Sequence, residues 1–116
     1  MLFKNAVGMP VMYTSKSGGM TSFNAVGGPT VGYQRTIGST QYNYDANHTP
    51  YEYKQKCGAN IVCRNMDGSL NRTIVPLGNG TSVVYNGQGN TMGYMHKSGA
   101  SVTYMDSQFR KIGSRE

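Results

Sequence analysis

From Arg72 onward the chain breaks into short β-prone pieces divided by turn signals, at intervals of roughly ten residues. The pieces are RTIVPL, TSVVYN, TMGYMH, ASVTYM and FRKIG, with GNG, GQGN, KSG and DSQ between them. Val, Ile, Thr and Tyr suit a pleated, half-buried surface, and Gly with Asn supplies the positive φ that tight hairpins require. That rhythm predicts an antiparallel meander. Pro76 cannot donate to a ladder, so its strand is expected at an edge or bulged there.

The upstream half follows the same logic less cleanly. PVMYT and TSFNAV flank SKSGGM, which reads as strand, turn, strand, with glycines in the positive-φ positions. VGGPTVGY crowds Gly27, Gly28, Pro29 and Gly32 into a loop, bulge or tight bend. TPYEYKQK alternates aromatic residues and soon meets Gly58, which favours a strand over a short helix opened by Pro50. Sixteen glycines and a 37% apolar share exclude a helical bundle, because each interior Gly costs a helix about 1 kcal/mol relative to Ala. The expectation is one all-β domain over residues 1–116, a small meander, barrel or sandwich with Gly-rich turns.

Two fragments hint at internal duplication. YTSKSG at Tyr13 and YMHKSG at Tyr94 share Tyr-x-x-Lys-Ser-Gly; TIGS at Thr36 and KIGS at Lys111 share Ile-Gly-Ser. The two pairs are differently spaced, 21 residues from Lys16 to Ile37 and 15 from Lys97 to Ile112. An inserted loop around GGPTVG would reconcile them; chance matching in a Gly/Ser-rich chain needs no insertion. YNYDAN, from Tyr42 to Asn47, resembles the Tyr-Asp kernel of the YD-repeat shells of large secreted bacterial toxins. The resemblance covers six residues, lacks the Gly-Arg pair usual in those repeats and does not recur, so it identifies no family.

Charge narrows the partners. Only 14% of residues are charged, yet the net charge is +6, which favours an acidic protein or another anionic polymer such as a glycan or nucleic acid. No dense Lys/Arg run marks a polyanion track. No apolar run reaches the ~18 residues of a membrane span, and MLFKNAVGMPVM is interrupted before it makes a signal-peptide core. A cytoplasmic or virion-associated protein, or one exported by a specialised route, is expected.

Chemistry-bearing residues are few. His48 and His96 are the only histidines and, as an acid–base pair, would make the chain a small basic nuclease toxin. Asp45, Glu52, Asp67 and Asp106 show no paired spacing for glycoside hydrolysis. The glycine-rich pieces lack the Lys-Ser/Thr of a phosphate loop. No metal site or cofactor is expected: Cys57 and Cys63 are five residues apart, and neither histidine stands at a matching offset. Those cysteines either close a hairpin disulfide or remain two thiols. A binding reading rests on Tyr94, His96, Lys97, Arg110 and Lys111, which the hairpins could gather along one exposed β edge for stacking and anion contact. The expected function is a non-catalytic binding or structural module, such as a surface or virion-associated component or an inhibitor gripping an acidic partner. It would use exposed β edges, Tyr and basic side chains, with self-association through stacked sheets left open. A nucleic-acid-binding β-barrel is the third possibility.

Overall fold

A computed structural model describes residues 1–116 and contains no helix: twelve antiparallel strands close into a barrel. The strands are β1 (Leu2–Asn5), β2 (Pro10–Ser17), β3 (Met20–Ala25), β4 (Thr30–Ile37), β5 (Thr40–Asp45) and β6 (Pro50–Cys57). There follow β7 (Asn60–Asn65), β8 (Leu70–Gly78), β9 (Thr81–Asn86), β10 (Thr91–Ser98), β11 (Ser101–Asp106) and β12 (Lys111–Arg115). Each strand pairs with its neighbours in sequence, and β1 closes on β12 through Phe3↔Arg115, Lys4↔Ser114 and Asn5↔Gly113. The all-β barrel expectation holds, TPYEYKQK is strand β6, and β8 is bulged between Pro76 and Gly78. The expectation of exposed β edges does not hold, because closure pairs both terminal strands and leaves no edge.

The barrel is built from a repeating hairpin. Strands β3, β5, β7, β9 and β11 begin at residues 20, 40, 60, 81 and 101, so the unit is 20 residues, with one extra residue in bulged β8. Every unit has a two-residue turn at one rim and a four-residue loop at the other, and the final unit is closed by β1. Lys16-Ser17-Gly18 and Lys97-Ser98-Gly99 both end a strand and enter a two-residue turn, so that match reflects equivalent positions. The Ile-Gly-Ser match does not: Ile37 ends β4, whereas Ile112 lies in the bulge of β12.

Local chemistry explains both rims. Gly18, Gly38, Gly58 and Gly99 open their turns at φ between 61° and 64°, the type II′ requirement that a Cβ would oppose. In the four-residue loops an Asx side chain holds the backbone. Oδ1 of Asn5, Asp45, Asn86 and Asp106 accepts from the N–H groups two and four residues on, at 2.9–3.1 Å. Ala25 replaces Asx where Pro29, four residues on, has no N–H to offer. Asp45 of YNYDAN therefore occupies a position that recurs around the barrel.

Two of these loops carry His48 and Phe109 at φ 62° and 64°, a conformation that costs a non-glycine residue about 1–2 kcal/mol. Each ring stacks on a wall tyrosine: His48 on Tyr33 at 4.0 Å and Phe109 on Tyr94 at 4.1 Å. Such pairs contribute about 0.5–1.5 kcal/mol, enough to offset much of the strain.

A basic lumen as candidate functional site

Twelve strands enclose more space than these side chains fill. Eight-stranded barrels are just filled, whereas here only ten of 116 residues are buried. A cavity of about 460 Å³ lies inside the wall toward the two-residue turns, and one of about 320 Å³ lies toward the four-residue loops. Phe3, Phe23 and Gln34 line both cavities, and mid-height Cys63 and Asn43 are buried.

Register and strand alternation identify the inward side chains. At mid-height they form a ring of Phe3, Phe23, Asn43, Cys63, Val84 and Tyr104. The next ring toward the two-residue turns is Thr14, Gln34, Lys54, Ile74, Met95 and Arg115. Closer to that mouth stand Lys16, Thr36, Lys56 and Lys97, paired across the ladder with Thr21, Gln41, Ile61 and Val102. The three lysines occupy alternate units of the barrel, giving the mouth a pseudo-threefold ring of ammonium groups.

One layer from mid-height toward the four-residue loops stands Glu52, opposite Asn43, and Asp45 and Asp106 follow on the same face at that rim. Glu52 is 3% exposed and accepts from Asn43 Nδ2 at 2.8 Å, Arg72 Nη2 at 3.1 Å and Asn71 Nδ2. Gln34 Nε2 donates to Asn43 Oδ1 at 3.2 Å, so a polar chain crosses four strands. Arg72 Nε, by contrast, is buried without a partner. The ion pairs are Lys4–Glu116, Arg72–Glu52 and Arg110–Asp106. Lys16, Lys54, Lys56, Lys97 and Arg115 have none, and Arg115 Nη1 meets only Met1 Sδ at 4.0 Å. Burial lowers the Lys54 pKa, with the Arg72 and Arg115 charges acting in the same direction and Cys63 and Glu52 opposing. Burial likewise raises the Tyr104 phenol.

The rims differ in kind. No Asp or Glu occurs in residues 15–22, 35–41, 55–61, 75–82 or 96–102, the five turns of the basic rim with their strand ends; Glu116, where β12 ends at this rim, pairs with Lys4. At the opposite rim Asp45, Asp67 and Asp106 stand with Arg64, Arg110 and Lys111. Of fifteen large apolar side chains left well exposed, eleven lie there, in the loops, at the strand starts or in the bulges; Val7, Met9, Met92, Phe109 and Ile112 are each more than half exposed.

The sequence-predicted sites are redistributed. Tyr94 lies under Phe109 on the outer wall. His96, also outward, contacts Thr81 Oγ1 through Nδ1 at 2.9 Å. Lys97 joins the lysine mouth, while Arg110, paired with Asp106 at 2.7 Å, and Lys111 lie at the far rim. The five do not share one edge. His48, in the loop between β5 and β6, and His96, on β10 toward the opposite rim, are not brought together as an acid–base pair. Cys57 and Cys63 are both free. Lys54 pairs across from Cys63 and Cys57 from Asn60, so one thiol faces the lumen and the other the outside, and no bridge closes. No group of three or more His, Cys, Asp or Glu is placed to hold a metal ion.

Lys16, Lys54, Lys56, Arg72 and Arg115 were not singled out by the sequence. Their signal was present as Lys-x-Gly at Lys16, Lys56 and Lys97, 40 and 41 residues apart, twice the repeating unit. No known protein family, curated protein or solved structure matches this chain.

Proposed function

We propose that the protein is a non-catalytic binding module that captures anions at the basic end of its barrel. One observation carries this reading: Lys16, Lys54, Lys56, Arg72, Lys97 and Arg115 share the inner face of the wall, against Glu52 and, at the far rim, Asp45 and Asp106. A concave, low-dielectric wall bearing one sign of charge focuses its field toward the mouth and draws counter-ions in. Binding then needs complementarity and charge, with no group activated for chemistry. The test is retention on heparin at low salt, with elution that moves steeply with ionic strength. Flow-through at 20 mM salt would count against the reading, and cleavage of RNA lost in His96→Ala would replace it with a nuclease.

Self-association is the second reading, favoured by the apolar rim. A ring of exposed Val, Met, Phe and Ile on a pseudo-symmetric annulus is self-complementary, so two copies can meet face to face in an isologous pair. Sizing Phe109→Ser with Ile112→Ser against the unaltered chain tests it; a monomer at all concentrations in both chains would remove it.

A further inference from the structure

We infer that the mouth of the lumen takes one small organic polyanion with a planar body, its anionic groups on the ring of Lys16, Lys56 and Lys97. This rests on the anion-binding reading and specifies its ligand. Three features of the 460 Å³ cavity set the class. Its volume falls in the range that encloses a small ligand, and a barrel without edges can be filled only through an end. Its polar walls are hydroxyls and amides, Thr14, Thr21, Thr36, Gln34 and Gln41, which suit the ring or chain oxygens of a polyol linker. Its deeper wall is aromatic, with Phe3 and Phe23 at 6.2 Å between centroids and Tyr104 beside Arg115.

Charge argues for several anionic groups rather than one. A single carboxylate would need one cation, but three unpaired lysines ring the mouth and Lys54 and Arg115 stand behind them, also without ion-pair partners. Lys16 and Arg115 line the cavity, Lys54 and Lys56 border the neighbouring cleft at Thr36 and Gln41, and like charges on one inner face repel one another unless an anion of matching valence sits between them. A phosphate ester carrying an aromatic or heterocyclic body meets all three conditions.

Calorimetric titration without divalent metal, using ATP, tripolyphosphate and adenosine as probes, tests the assignment. ATP is expected to bind 1:1 and tighter than tripolyphosphate by about tenfold, the worth of one ring stacked on aromatic side chains, with adenosine showing no heat. Two variants of equal charge loss locate the site. Lys16→Gln/Lys56→Gln/Lys97→Gln should weaken ATP by at least about tenfold, whereas Arg35→Gln/Arg110→Gln/Lys111→Gln on the outer wall and far rim should change it by less than about twofold. Equal losses in the two variants would overturn the location, and equal affinity for ATP and tripolyphosphate would overturn the planar body. Heparin retention with no ATP or tripolyphosphate binding would sink this ligand class and leave the anion-binding reading standing; loss of heparin retention as well would sink both. Circular dichroism of each variant confirms that the barrel is intact.

Discussion

Replacing Glu52 with Gln removes the one buried acid of the barrel while keeping the shape of the side chain. Glu52 is 3% exposed and receives three side-chain donors, so its charge is held by a network. Breaking a buried pair by removing one partner costs about 3–5 kcal/mol. Arg72 is 37% exposed, however, and water recovers part of that loss, bringing the expectation to about 2–3 kcal/mol. Glu52→Ala also strands the Asn43 amide inside the wall, adding about 1–3 kcal/mol for an unsatisfied buried donor. A domain of this size is stable by about 5–15 kcal/mol, so both losses are measurable by urea titration at pH 7. A shift below about 0.5 kcal/mol in Glu52→Gln would refute the reasoning, since it would mean that the lumen cations need no internal counter-charge.

Three further outcomes follow from the same wall. Lys54→Met should raise the urea midpoint at neutral pH: burial lowers the folded pKa of Lys54, so the native state carries a penalty for the charged amine that fades only as pH rises from that value toward the unfolded ~10.4. A lower midpoint would contradict it. In thiol labelling of the native protein one cysteine, Cys57, should react at once and Cys63 only on unfolding, with no mass change on reduction; two slow thiols would contradict the placement. Asp106 is held below the usual carboxylate range by the N–H groups of Arg110 and Gln108 and by the Arg110 side chain, so it stabilises above about pH 4 and loses that contribution as pH falls through its folded value. Asp106→Asn, which keeps the accepting oxygen used by Asn5 and Asn86, should flatten acid unfolding monitored by circular dichroism; an unchanged acid limb would remove Asp106 from that role.

The turn chemistry made most of the wall legible. Gly18, Gly58 and Gly99 announced hairpins because only their missing Cβ accepts the turn, and Pro76 announced a bulge because it cannot donate. Closure was not legible: β1 and β12 lie at opposite ends of the chain, and nothing local in Phe3 or Arg115 reports their pairing. The repeat was half visible. Loops cap through Asn or Asp and turn through Gly, His or Phe, so equivalent positions share geometry without sharing residues. The lumen site was hidden for the same reason. Lys16, Lys54 and Arg115 look like scattered surface charges until closure places them on one inner face. The proposed edge of Tyr94, His96, Lys97, Arg110 and Lys111 treated neighbours in sequence as neighbours in space, whereas the meander sends them to different faces and rims.

The most direct test of a basic, anion-binding lumen is an amide and side-chain NMR titration with tripolyphosphate. The account predicts shifts concentrated on the inner face, at Lys16, Thr21, Gln41, Lys56, Lys97 and Arg115, with Tyr33, Tyr94 and the apolar rim unmoved. Shifts spread over Arg35, Arg110 and Lys111, or none at millimolar anion, would contradict it.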